Sequence, residues 1–114
     1  MSLPLTPEIL QSVYDLLLVC PPFNNWNLPD SDDIKFKVVR TRGTRGWYRG
    51  GDGTHEIAVS ETLHGHLMSV IATIAHEMCH IHLVQCGGTF RHSKAFYKLV
   101  EEACTIHGLD PKFT

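Results

Sequence analysis

The chain has 114 residues, of which 43% are hydrophobic and 19% charged, so it suits a single globular domain spanning 1–114. The formal net charge is −2, which excludes a strongly basic or acidic protein. The N-terminus lacks a basic leader region, and the apolar segment 16–20 is too short to span a bilayer. The four cysteines form no C-x-x-C pair, which argues against a zinc ribbon and favours a reducing compartment. We therefore expect a cytoplasmic protein.

The first predicted element is a helix that begins at Thr6 and Pro7, which suit the N-cap and the first helical position. The pair Pro21-Pro22 ends this helix. Segment 23–33, rich in Asn, Pro and Asp, is predicted to be a loop. The apolar stripe of the helix consists of Ile9, Leu10, Val13, Leu16 and Leu17.

Three short strands are predicted next. Apolar and charged residues alternate over 34–38, which indicates a half-buried strand. Residues 47–48 and 55–59 are predicted to form the second and third strands. Glycine-containing turn regions at 41–46 and 50–53 separate them. We expect two hairpins and a three-stranded antiparallel sheet.

Two helices follow the strands in the predicted order. The longer runs from about His66 to Gln85 and ends at the glycines 87–88. The last helix begins near Ser93 and closes at Gly108. The sequence therefore predicts an α+β fold. The predicted core stripes are Leu67, Val70, Ile71, Ile74 and Met78 in the longer helix, and Phe96, Leu99, Val100, Ala103 and Ile106 in the last.

The longer helix carries an H-E-x-x-H motif, His76-Glu77-Met78-Cys79-His80. Residues four apart share a helical face, so His76 and His80 can direct two imidazoles at one metal ion. Glu77 lies about 100° round the helix, where it can reach a water molecule without being a ligand. This set is typical of metal-assisted hydrolysis, with zinc as the expected ion. His82 is excluded because it lies about 600° from His76, on the far side of the helix.

Catalytic zinc normally takes three protein ligands, so a third ligand is expected. The metzincin pattern is rejected because Leu83 and Cys86 occupy the positions where that class has Gly and His. The remaining candidates are Glu101 or Glu102 from the last helix, and His92 at the head of that helix. Spacing alone leaves these alternatives open.

The stretch His92-Ser93-Lys94-Ala95-Phe96 follows the motif helix with the pattern H-(G/S)-x-x-F. With HEMCH, it resembles the SprT-like (Spartan-type) zinc metallopeptidases and the related small family that includes the YgjP-type proteins. Segments 34–40, 46–48 and 57–60 resemble strands of those families, and the likeness covers about 34–107.

The resemblance implies a minimal zincin-like domain that binds one catalytic zinc ion and cleaves a protein or peptide substrate. It also implies that His76, His80 and His92 are the metal ligands and that Glu77 is the general base. In that case Glu101 or Glu102 serves as a hydrogen-bond acceptor for a ligand imidazole or as a solvated side chain. The group that stabilises the oxyanion is undecided among Tyr48, Arg91 and Tyr97.

Six of the ten basic residues fall in one stretch that also contains Trp47. Such a stretch suits phosphate contact and base stacking, but lysines and arginines also protect sheet edges. The resemblance favours nucleic acid, because Spartan-type proteases digest proteins crosslinked to DNA. The alternative function is a non-catalytic binding module with a zinc site, which the intact Glu77 argues against. The basic residues are Lys35, Lys37, Arg40, Arg42, Arg45 and Arg49.

Overall fold

A computed structural model describes residues 5–51, 53–61, 67–85, 94 and 98–102. The α+β class is confirmed, and residues 94 and 98–102 are helical as the predicted last helix requires. The other elements are α1 (Pro7–Leu18), short 3-10 helices at Phe23–Asn25 and Ser31–Asp33, β1 (Ile34–Val39), β2 (Gly46–Gly51), β3 (Thr54–Ser60) and α2 (Leu67–Gln85).

Helix α1 begins where its capping residues predict. The Thr6 side chain accepts a hydrogen bond from the Ile9 amide at 3.2 Å. Leu16, expected in the core, is instead 59% exposed. It lies six residues from Leu10, about 120° round the helix. Tyr14 occupies the buried face, and its hydroxyl donates to the Pro29 carbonyl at 2.6 Å.

The sheet is mixed, so the predicted antiparallel meander is wrong. Its strand order is β1-β3-β2. β1 runs parallel to β3, and β2 runs antiparallel to β3. Phe36 on β1 and Tyr48 on β2 are both register partners of Ile57 on the central strand. Both β1 and β2 are therefore edge strands of the described sheet.

The connection 40–45 explains the difference. Instead of closing a hairpin, it crosses over the end of β3. The Glu61 amide donates to the Val39 carbonyl at 2.9 Å, and the Ser60 amide donates to the Arg45 carbonyl at 2.8 Å. Six residues easily span two strand spacings, about 10 Å. A turn signal shows that the chain reverses, but it does not show which strands become neighbours.

One face of the sheet packs against the helices. Tyr14 of α1 meets Phe36 edge-on, with ring centroids 5.7 Å apart. Helix α2 approaches β2 at Gly46, where an added Cβ would meet the Ala58 carbonyl and would lie 3.1 Å from Thr73 Cγ2. Glycine therefore permits the close contact between β2 and the helix that carries the H-E-x-x-H motif.

Helix α2 is the central helix of the core. Of its predicted stripe, Val70, Ile74 and Met78 are fully buried, whereas Leu67 is 47% exposed. Cys79 is buried, as predicted. The helix is long and apolar enough to cross a membrane by length and composition alone, but 56% of the stretch is buried inside the protein. A core helix passes the same test, so this is weak evidence for a membrane span.

The predicted last helix is described only in part. Val100 is 6% exposed and Leu99 packs against the core, as the predicted stripe requires. The predicted start near Ser93 and the predicted stop at Gly108 lie outside the described residues. So do three predicted core residues, Phe96, Ala103 and Ile106.

Candidate metal centre

Helix α2 brings the two motif histidines together on one face. The Nε2 atoms of His76 and His80 lie 3.2 Å apart, with ring centroids 4.9 Å apart. Glu77 lies beside them, and the possible ligand atoms of all three residues fall within 4.8 Å of one another. Two residues that are four positions apart in a helix lie on the same face, which is enough to bring the two imidazoles together.

The donor set fits a divalent metal ion. Two nitrogens bound to a tetrahedral zinc ion at 2.0–2.1 Å would be about 3.3 Å apart. The observed separation of 3.2 Å between the Nε2 atoms of His76 and His80 is close to that value. Imidazole nitrogens beside a carboxylate are donors that zinc accepts. In the metal-free chain the same distance suits a hydrogen bond between the two rings.

Glu77 is buried, with 3% of its surface exposed. Burial raises the pKa of its carboxyl group to about 8, because a charged carboxylate is poorly solvated there. In the metal-free chain the protonated acid therefore predominates at neutral pH. A cation held by the adjacent histidines would favour the carboxylate.

A family model described as the SprT-like family matches residues 22–113, about four fifths of the chain. The chain belongs to the SprT-like family. The predicted SprT-like membership is thereby confirmed, and the match reaches further toward the N-terminus than the predicted 34–107. SprT-like proteins are generally metallopeptidase-like, which agrees with the His-Glu-His group on α2. A comparison with curated proteins finds no match.

His82 points away from this group, as its helical angle predicts. Its ring stacks on Trp26, with centroids 4.4 Å apart and planes 15° apart. Trp26 in turn meets Phe23 edge-on at 5.1 Å. Burial lowers the pKa of His82, and the nearby charge of Glu102 opposes that shift. Sequence reasoning missed this aromatic stack, because the composition of 23–33 indicated only a loop.

The third ligand stays a prediction. His92 lies outside the described residues, as do Arg91 and Tyr97. Glu101 and Glu102 are described and exposed. Neither belongs to the group of possible ligands found among the described residues.

Tyr48 is buried on the helix-facing side of β2. Its hydroxyl lies 2.7 Å from His55 Nδ1, and burial raises the pKa of the phenol. A Cβ at Gly50 would overlap the Tyr48 hydroxyl and lie 2.6 Å from Tyr48 Cζ. Gly50 therefore leaves room for the Tyr48 ring to reach His55. These contacts describe a structural pair, and the predicted oxyanion role of Tyr48 stays a prediction.

The predicted basic stretch divides into two groups. Lys35, Lys37 and Arg49 lie on the face of the sheet opposite the helices, together with Trp47. The Arg49 guanidinium carbon lies 5.2 Å from the centroid of the Trp47 ring. The other group occupies the connection between β1 and β2, where the exposed Arg40 forms an ion pair with Glu61. That second group is Arg40, Arg42 and Arg45.

Proposed function

We propose that this SprT-like chain is a zinc-dependent metallopeptidase that hydrolyses peptide bonds. The observation that carries the proposal is the convergence of the His76 and His80 nitrogens beside the buried Glu77. Family membership supports the same reading. A purely structural zinc site would have no use for a buried carboxylate next to its ligands.

His76 and His80 would hold the ion, with His92 as the proposed third ligand. When bound, zinc supplies Lewis-acid chemistry, polarising a substrate carbonyl and making water more acidic. The two described imidazoles occupy consecutive turns of a buried helix, so their separation is set by backbone geometry. Little side-chain rearrangement is then needed for the two rings to act as a pair.

Glu77 is the proposed general base. One of its Oε atoms accepts a proton from the attacking water and later delivers it to the leaving amine. Because Glu77 is buried, bulk water does not solvate the negative carboxylate. The burial that makes it a weak acid in the metal-free chain therefore makes its carboxylate a strong proton acceptor.

The substrate is proposed to bind as an added strand along the edge strand β2. Within the described residues β2 has a strand neighbour on one side only, and it packs against α2 near Gly46. An extended chain on that edge would form main-chain hydrogen bonds and lie beside the helix that carries His76 and Glu77. Unfolded or locally extended protein segments are the substrates that meet this requirement.

The decisive variant is Glu77→Gln. We expect it to bind zinc at the wild-type stoichiometry and to lose about 10²- to 10⁴-fold in cleavage of an unfolded protein, as for removal of a general base. Metal content is measured by mass spectrometry and cleavage by gel electrophoresis. Glu8→Gln is the matched control, because Glu8 is an exposed helical carboxylate on α1 with no proposed role in the site. Full cleavage by E77Q would refute the mechanism, and zinc-loaded wild type without any cleavage would favour the binding module.

A nucleic-acid partner is proposed as well, because three cations and an aromatic ring share the open face of the sheet. Phosphate contacts by Lys35, Lys37 and Arg49 would make binding weaken with salt, and Trp47 offers a ring for stacking. We expect single-stranded DNA to bind, and the double variant K35Q/K37Q to lower both the affinity and its salt dependence. Equal affinity of that variant across a salt titration would contradict the proposal.

A cytoplasmic setting is proposed on the basis of cysteine chemistry. Cys20 is a free thiol in the part of the chain that the structure describes. Free thiols persist in reducing compartments. Thiol titration of protein purified without reductant should find all four cysteines reduced, and a disulfide there would count against this setting.

A further inference from the structure

The outer side of β2 offers two different surfaces to a strand added beside it. Side chains on a strand alternate between faces, so every second residue of the added chain meets one surface. The helix-facing surface of β2 consists of Gly46, Tyr48 and Gly50, with Tyr48 buried. The open surface consists of Trp47 and Arg49.

Arg49 is the charged group on that open surface. It is exposed, and its guanidinium carbon lies 5.2 Å from the centroid of the Trp47 ring, within cation–π range. Glu56 is its register partner on β3, yet no ion pair joins Arg49 to any carboxylate that the structure describes. The guanidinium is therefore supported by an aromatic ring, and its donors remain available to another acceptor.

We propose that Arg49, supported by Trp47, is a specificity residue that selects an acidic side chain in the peptide strand paired with β2. This inference rests on the proposed function, because it assumes that the substrate lies along this edge. A residue opposite Arg49 on a neighbouring strand would have its Cβ about 5 Å from the Arg49 Cβ. A glutamate there can accept a bidentate hydrogen bond from the guanidinium, which a lysine cannot do.

The chain supplies a matched control in Lys35. Lys35 and Arg49 are both register partners of Glu56, one from each side of the central strand, and all three lie on the same face of the sheet. Lys35 belongs to β1, at the opposite edge, about 10 Å from β2. A general attraction between the basic face and acidic peptides would involve both cations. Selection at the β2 edge would involve Arg49 alone.

The test uses zinc-loaded full-length protein with Glu77→Gln, so that peptides bind without being cleaved. The probes are short fluorescent peptides in which Thr and Val alternate, so that all Thr side chains lie on one face of the strand. In each peptide two successive Thr residues are replaced by Glu, by Gln or by Lys, and affinity is measured by fluorescence anisotropy. We expect the Glu peptide to bind about fivefold more tightly than the Gln peptide, with the Lys peptide weakest. Adding R49Q should abolish this ranking, R49K should retain part of it, and K35Q should leave it intact.

Three results would overturn the inference. The first is that the three peptides bind with equal affinity, the second is that none of them binds, and the third is that K35Q loses the affinity ranking to the same extent as R49Q. An R49Q variant that loses single-stranded DNA binding but keeps the peptide ranking would assign the arginine to nucleic acid instead. The wild-type cleavage assay is run in parallel. Selective binding by the E77Q protein without wild-type cleavage would support the specificity residue and refute the peptidase.

Discussion

Replacing Glu77 by glutamine should stabilise the metal-free protein, by an amount that grows with pH. Glu77 has a folded-state pKa of about 8 against an ordinary value of 4.5, and burial is the cause. A raised acid pKa means that the folded state favours the protonated form. The contribution of the protonated carboxyl group to the free energy of unfolding is fully present below the ordinary pKa and is lost as the pH rises toward 8. Glutamine keeps the shape of the protonated acid but cannot ionise.

The magnitude follows from linkage. Above the unfolded pKa, wild-type stability should fall by about 1.4 kcal/mol for each pH unit until the folded pKa is reached. Relative to the variant, the wild type should therefore lose about 3 kcal/mol by pH 7, as an upper estimate. That is a large share of the 5–15 kcal/mol by which small domains are generally stable.

Urea unfolding of wild type and E77Q across this range, with a chelator present, measures the difference directly. We expect nearly equal stabilities at about pH 4, below the ordinary pKa of the carboxyl group, and a clear advantage for E77Q at neutral pH. Glu8→Gln, which changes an exposed carboxylate on α1, is measured alongside as the control. Added zinc should narrow the gap between wild type and E77Q, because a nearby cation lowers the pKa of Glu77. A gap of the same size at acidic and neutral pH would refute the assignment of a buried, protonated Glu77.

Three further predictions concern other positions. His92→Ala should weaken zinc binding at least about tenfold, measured by competition with a chelating dye, whereas unchanged affinity would place the third ligand elsewhere. Gly50→Ala should cost about 1–3 kcal/mol in urea unfolding, because its Cβ overlaps Tyr48. Gly43→Ala is its control, since the nearest atom to an added Cβ is 3.7 Å away, and equal costs would contradict the packing. Trp47→Phe should leave stability unchanged or raise it by up to about 1 kcal/mol, because it removes a buried indole N–H without a partner among the described residues. A clear loss of stability in urea unfolding would contradict this prediction.

Local signals in the sequence predicted α1 and α2 well. Thr6 and Pro7 marked the start of α1, and the spacing of Val70, Ile74 and Met78 marked the buried face of α2. These signals act within one element, so they do not depend on how the chain folds back on itself. The separation of His76 and His80 is predictable for the same reason, since a single helix determines it.

Sheet topology depends on contacts that local signals do not encode. The segment 40–45 contains turn-forming residues whether it closes a hairpin or crosses over β3. Hydrogen bonds from Ser60 to Arg45 in that connection and from Glu61 to Val39 in β1 decide between the two arrangements, and these partners are 15 and 22 positions apart. The stacking of His82 on Trp26 likewise joins a helix to a loop of unremarkable composition.

The mixed topology bears directly on the proposed chemistry. With β3 in the centre, β2 becomes an edge strand and also packs against α2. In the predicted meander β2 would have been the central strand, with both of its edges paired and no place for a substrate strand. The corrected topology is therefore what leaves an edge of β2 open for strand addition beside α2, the helix that carries Glu77. It also connects the two proposals, because the strand that would align a peptide for hydrolysis is the strand that presents Arg49.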